Sequence, residues 1–291
     1  MKLFAGTGTA LITPFGKDGS IDEEALRRLV DFQEENGVNV LIPCGSTGES
    51  ATLSHKEHVH VLEIVIDQAK KAKVLAGAGS NSTTEAVALS RSAADLGADG
   101  LLSISPYCVK PTQEGLYIHY KTIAEAVDCP LIVYNIPGRT GCNVNVDTLM
   151  RLAEVPGIAG VKEASGNMAQ IQSILTQRPD GFEVLSGDDS ITRPLMCLGA
   201  DGVISVAANC CPGLVSEMVC NARGGNFDIA THIHNTLLPL FTTLFCESNP
   251  IPIKYVMGRM GFGAGIPRLP LTPLSEKGRA AIDPVLESLG I

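Results

Sequence analysis

The sequence has no tryptophan and only 4% aromatic residues, yet 45% of its 291 residues are hydrophobic, enough apolar material for one large core. Disorder is excluded. Positive charge is scarce as well: 22 Lys and Arg stand against 31 Asp and Glu, a formal charge of −9, and no run of basic side chains breaks that balance. Nucleic acid and anionic membrane are therefore poor partners. A small anionic substrate is compatible, provided that a few cationic groups converge in one pocket. No stretch between charged residues supplies the ~18–20 apolar residues of a membrane span. The opening Lys2–Gly16 is too rich in Gly and Thr for a signal peptide and breaks at Pro14, so a soluble protein is expected. The nine cysteines are odd in number, include the adjacent Cys210 and Cys211, and contain no C-x-x-C pair. They read as small buried hydrophobes in a reducing cytoplasm.

What is present is a repeat. Aliphatic runs at Thr9–Thr13, Val38–Pro43, Val74–Ala78, Gly100–Ser105, Leu131–Tyr134, Ile158–Lys162, Glu183–Leu185 and Gly202–Val206 each end in small polar or Gly/Pro residues and precede a helix-like segment. Near-continuous hydrophobicity is what strands buried on both faces require. Ser20-x-x-Glu23, Ser54-x-x-Glu57 and Ser82-x-x-Glu85 read as capping boxes at helix starts. Eight βα units predict a TIM (β/α)8 barrel over residues 1–224. After Val206 the strand signal stops, and Pro212–Asn221, Phe227–Cys246, Ile253–Met260 and Glu276–Leu289 read as helices, so 225–291 is expected to form a helical C-terminal domain.

In such a barrel the chemistry lies where strands end and loops begin. Lys162 ends an otherwise apolar strand, and burial lowers a lysine's pKa. An amine that is neutral part of the time can attack a carbonyl and form a Schiff base; the alternative is a lysine that reaches solvent or pairs with Glu163. Tyr134 ends the neighbouring strand, where a phenol can shuttle protons or simply fill the barrel. Gly45-Ser46-Thr47-Gly48 offers hydroxyls and backbone N–H groups suited to a carboxylate, although the same composition makes ordinary turns, and it lacks the spacing of a phosphate loop. Arg139, in Pro137-Gly138-Arg139-Thr140-Gly141, could clamp a carboxylate or lie solvated. His55, His58 and His60 have no Cys or carboxylate at metal-ligand spacing, and no metal is implied.

With Gly45-Ser46-Thr47-Gly48-Glu49-Ser50, Tyr134-Asn135-Ile136-Pro137-Gly138-Arg139-Thr140-Gly141 and Gly160-Val161-Lys162-Glu163-Ala164-Ser165-Gly166-Asn167 placed on strands two, five and six, the chain closely resembles the dihydrodipicolinate synthase family. That family belongs to the pyruvate-dependent class I aldolases, with N-acetylneuraminate lyase. The likeness extends through Leu185–Asp189, Gly202–Ser205 and Asn249-Pro250-Ile251-Pro252. It implies a lyase that condenses pyruvate with L-aspartate 4-semialdehyde, the entry to diaminopimelate and lysine, with no cofactor. Lys162 matches the Schiff-base lysine, Tyr134 the proton-relay tyrosine and Ser46 the relay hydroxyl, usually threonine. Thr47 matches the pyruvate carboxylate site, Ile204 the residue whose carbonyl faces the active site, and Arg139 the arginine that receives the semialdehyde carboxylate. Cys108 departs from the pattern, because the family's Pro-Tyr-Tyr reads Pro106-Tyr107-Cys108 and the second tyrosine serves the neighbouring subunit's relay. Ala51, His55, His58, Gly79, Asn81, Glu85 and Tyr107 match an allosteric lysine pocket; a solvated helix start is the alternative there. A cytoplasmic homotetramer, as a dimer of dimers, or a homodimer is implied. The competing reading is another pyruvate-dependent aldolase acting on a sugar acid or hydroxy-oxo acid, against which Arg139 speaks.

Overall fold

In the computed structural model, which describes residues 2–291, the eight aliphatic runs become eight parallel strands. They are β1 (Gly6–Ala10), β2 (Val40–Ile42), β3 (Lys73–Gly77), β4 (Gly100–Ile104), β5 (Leu131–Asn135), β6 (Ile158–Glu163), β7 (Glu183–Ser186) and β8 (Gly202–Ser205). Each pairs with the next and β8 pairs with β1, closing a (β/α)8 barrel.

Helices lie outside it in chain order: α1 (Glu23–Glu35), α2 (His55–Gln68), α3 (Thr83–Asp95), α4 (Gln113–Ala124), the single turn α5 (Pro137–Thr140), α6 (Val146–Ala153), α7 (Met168–Gln177) and α8 (Asp189–Cys197). Then follow α9 (Pro212–Arg223), α10 (Phe227–Thr243), α11 (Ile251–Arg259) and α12 (Glu276–Leu289). Among the described residues no helix is long and apolar enough to cross a membrane.

Strand alternation divides the core in two. Val40, Ile42, Leu75, Leu102, Ile132, Leu185 and Ile204 fill the barrel, whereas Leu41, Val74, Leu101, Val133, Val161 and Val203 face the helices. The first strand starts three residues earlier than the aliphatic pattern predicts. Closure explains the offset: a Cβ on Gly202 would stand 2.0 Å from the carbonyl oxygen of Gly6, so the β1–β8 seam is built where both strands carry glycine. Leu11 and Ile12, read as strand, instead pack in the outer core beyond the strand end.

Two of the three capping boxes are corrected. Asp22 caps α1 by accepting from Ala25 N–H at 2.9 Å, while the Ser20 hydroxyl is turned to Asp18. Ser82 does cap α3, but the Glu85 carboxylate bonds Ser80 and His55 and never returns to the Ser82 N–H. The Ser54/Glu57 box is complete. The cysteine expectation also fails in part, since Cys108, Cys197, Cys220 and Cys246 are exposed. Helical phase decides for Cys220, because Val215, Met218, Val219 and Ala222 form the buried face of α9 and leave it outside.

Candidate active site

Lys162 and Tyr134 meet because β5 and β6 pair in register, Tyr134 opposite Lys162. Both point into the barrel, and Lys162 Nζ lies 4.2 Å from the centre of the Tyr134 ring. Alternation sends the next residue the other way. Glu163 is fully buried on the helix side, accepting from Ser165 N–H at 2.7 Å and Asn135 Nδ2 at 3.0 Å. Lys162 is 5% exposed, and among the described residues it forms no ion pair, so it neither reaches solvent nor pairs with Glu163.

Burial pulls the Lys162 ammonium down to about 7; the Arg139 charge adds to that pull and the Asp189 carboxylate opposes it. A large fraction of the side chain is thus the free amine at neutral pH. Burial pushes the Tyr134 phenol up to about 12, against the opposing effects of Arg139 and the Ser46 hydroxyl, so it stands protonated beside that amine. Room for the lysine comes from Gly187: a Cβ there would fall 3.0 Å from Lys162 Cε and 2.7 Å from the Ala164 methyl.

Ser46 and Thr47 sit on the loop after β2. Thr47 is buried, and its Oγ1 accepts from Asn249 Nδ2 at 2.9 Å. Arg139 projects from α5, which Gly141 ends in the left-handed conformation at φ 73°. Its Nη2 donates to the Asn249 carbonyl at 2.8 Å, and it has no carboxylate partner among the described residues. Ile204 lies on β8 opposite Gly8, inside the barrel.

A cavity of about 530 Å³ is lined by Ser46, Tyr134, Arg139, Thr140 and Asn249, and it continues to Ala51, His55, His58, Gly79, Glu85 and Tyr107. Lys162, Thr47 and Ile204 stand outside that lining, and Lys162 adjoins it through the Tyr134 ring. Asn81 and Cys108 are outside it too. Cys108 occupies an exposed loop after β4 with φ 72°, a left-handed conformation rare for a side-chain-bearing residue. His55 Nε2 lies 2.6 Å from Glu85 Oε1, and His58 Nε2 bonds the Gly77 carbonyl at 2.7 Å. Burial lowers the His58 pKa, while the Ser80 hydroxyl and His55 lower that of Glu85. His60 turns away to Glu23 and Glu63.

Two residues at the site had no role assigned from sequence. Asp189 is 2% exposed, and its Oδ2 accepts from the N–H groups of Val206 (3.0 Å) and Ala207 (3.1 Å) just after β8. Its signal was the acid pair itself: Asp188 caps α8, which leaves the second carboxylate for another purpose. Asn249 had no local signal, because its partners are distant in sequence.

A closed parallel barrel with a desolvated amine at the carboxyl end of one strand, a phenol against it and an unpaired guanidinium in the mouth belongs to the class of (β/α)8-barrel lyases that work on carbonyl compounds. The chain is a member of the dihydrodipicolinate synthetase family, whose model matches residues 3–289. It is 53% identical over 289 residues to the 4-hydroxy-tetrahydrodipicolinate synthase of Chloroherpeton thalassium, covering 99% of this chain and 96% of that one. The enzyme of the same name from Pelodictyon phaeoclathratiforme is 51% identical, with 100% and 99% covered. Among solved structures, dihydrodipicolinate synthase from Aquifex aeolicus superposes with a TM-score of 0.97 at 46% identity, covering 99% of this chain and 98% of that one. The chloride-inhibited enzyme from Acinetobacter baumannii, complexed with pyruvate, gives 0.96 at 46% identity, with 99% of each chain covered.

Proposed function

We propose that the chain condenses pyruvate with L-aspartate 4-semialdehyde through a Schiff base on Lys162, giving 4-hydroxy-tetrahydrodipicolinate at the entry to diaminopimelate and lysine biosynthesis. The observation that carries the reading is the buried, partly neutral Lys162 amine packed on the Tyr134 phenol at the barrel mouth. The full-length likeness to synthases of this name supports it.

The amine adds to the pyruvate keto carbon, and loss of water leaves the iminium. Loss of a methyl proton then gives the enamine that attacks the aldehyde carbon of the second substrate. Tyr134 and Ser46 move the protons of these steps, its high pKa making Tyr134 a donor in its resting form. Thr47 holds the pyruvate carboxylate with its hydroxyl, and the Ile204 carbonyl faces the same space. Arg139 takes the semialdehyde carboxylate, for which it has no competing acidic partner within the described residues. The amino group of the condensed product then displaces Lys162 from the imine.

Cys108 stands at the place of a relay tyrosine, and a water in the vacated volume replaces the phenol. Ala51, His55, His58, Gly79, Glu85 and Tyr107, with Asn81 adjoining the cavity they line, form a site for free lysine, whose ammonium suits Glu85 and whose carboxylate suits the donors of His55 and Asn81. A homotetramer or homodimer in the cytoplasm fits nine unpaired thiols, and 1–224 and 225–291 are the barrel and helical parts.

Incubation with pyruvate and borohydride tests the reading. One pyruvate-derived adduct per chain is expected, on Lys162 by mass spectrometry, and none in Lys162→Ala. An adduct on another lysine, or an active Lys162→Ala enzyme, overturns the Schiff-base mechanism.

A further inference from the structure

Asn249 stands two residues before α11, 6% exposed, and touches both groups assigned to substrate carboxylates. Its side-chain Nδ2 donates to Thr47 Oγ1 at 2.9 Å, and its backbone carbonyl accepts from Arg139 Nη2 at 2.8 Å. The two partners lie on the loop after β2 and on α5, which pack on different sides of the barrel mouth. One residue from the loop between α10 and α11 therefore spans the substrate site.

The direction of the Thr47 contact matters. A hydroxyl has one proton to give and two lone pairs to receive with. By filling an acceptor position, the amide leaves the Thr47 proton free, and among the described residues that hydroxyl donates to no protein atom. A carboxylate accepts only, so a threonine that binds one must be held as a donor. With the amide reversed, Oδ1 would face Thr47, capture the proton and disable it. In the observed orientation Asn249 Oδ1 is buried and has no partner in the described residues.

At the other end, the backbone carbonyl engages one nitrogen of the guanidinium and fixes its position, while the remaining N–H groups are left for a ligand. Both Arg139 and Asn249 line the cavity.

We propose that Asn249 is a positioning residue that holds the Thr47 hydroxyl as an obligate donor toward the carboxylate of the first substrate, and that its backbone fixes the distance from this donor to the Arg139 guanidinium. The inference rests on the reading of Thr47 and Arg139 as carboxylate holders. It makes no use of Asn249 as an acid, base or nucleophile.

Steady-state kinetics and pyruvate–borohydride trapping on Asn249→Ala, Asn249→Asp, Thr47→Val and the Asn249→Ala/Thr47→Val double variant test it. Asn249→Ala should raise the KM for pyruvate about tenfold with kcat at saturation changed less than threefold. Asn249→Asp keeps the shape but offers only acceptors, so it should raise that KM further. The semialdehyde KM should move much less in both, because the backbone carbonyl remains. In the Thr47→Val background, Asn249→Ala should add less than twofold, since its partner is already gone. Fully additive effects, or an unchanged pyruvate KM in Asn249→Ala and Asn249→Asp while Thr47→Val raises it, overturn the inference alone. An unchanged pyruvate KM in Thr47→Val overturns the reading of Thr47 and the inference with it. If the alanine variant is unstable, as its melting curve would show, the isosteric aspartate variant decides by the same criterion.

Discussion

Lys162 sits between opposed charges that set how much of it is amine. Burial and Arg139 favour the neutral form, and Asp189 favours the ammonium. Asp189→Asn removes the only one of these influences that raises the lysine's pKa, while a carboxamide oxygen can still accept from the Val206 and Ala207 N–H groups. In the proposed mechanism the free amine is the nucleophile, and its fraction grows as pH rises through the pKa. A lower pKa therefore moves the acid limb of imine formation to lower pH, by roughly one pH unit for a nearby opposite charge. Trapping rates measured against pH check this: below pH 7 the variant should react faster than the parent enzyme, and an unmoved or raised acid limb contradicts the account. Tyr134 follows the same burial, but its phenol is displaced upward and stays protonated across this range, so the limb belongs to the lysine.

At the scale of elements, the strand-end loops are held by contacts from the C-terminal helices. Lys254 on α11 is 1% exposed; its ammonium lies 2.5 Å from Glu49 Oε1 and 3.0 Å from the Thr13 carbonyl, and it stacks 3.7 Å over the Phe15 ring. Glu49 also receives the Arg268 N–H at 2.9 Å, with its own backbone left-handed at φ 55°. Burial drags the Lys254 ammonium down to about 8 even though Glu49 pulls the other way. Removing one partner of such a pair strands the other charge, a penalty of about 3–5 kcal/mol. Glu49→Gln should accordingly lower the melting temperature by roughly 5–15 °C. The double variant Glu49→Gln/Lys254→Met should recover much of the loss, because no charge is left buried without a partner. Thermal melts of the three proteins decide, and a Glu49→Gln curve that coincides with that of the parent refutes the assignment.

For the whole molecule, the readable and unreadable parts follow from range. The barrel was legible because each buried strand is a continuous aliphatic run that ends in polar residues, and Lys162, Tyr134 and Arg139 stood out where those runs stop. β1 begins before its aliphatic run because its closing contacts use Gly6 and Gly8, which carry no strand signal, and α1 begins later than Ser20 suggests because Asp22 takes the cap. Lys254 looks like an ordinary helix lysine, and Asn249 like part of a turn. Their partners lie 205 and 202 residues away, so only the folded chain brings them together. The same range bears on how the molecule unfolds. Asn249 is bonded to Thr47 and Arg139, Lys254 to Glu49, and Arg268 to Glu57 at 2.6 Å and to the Gly19 carbonyl at 2.7 Å. The segment after residue 224, through α11 and the loops on either side of it, thus completes the mouth of the barrel, and loss of either part exposes buried polar groups of the other. The full chain should unfold in one cooperative transition, with calorimetric and van't Hoff enthalpies in agreement per unfolding unit. Glu49→Gln should shift that transition as a whole without splitting it. Two resolved calorimetric transitions in the parent protein, one for 1–224 and one for 225–291, would show that the parts are energetically independent despite these contacts.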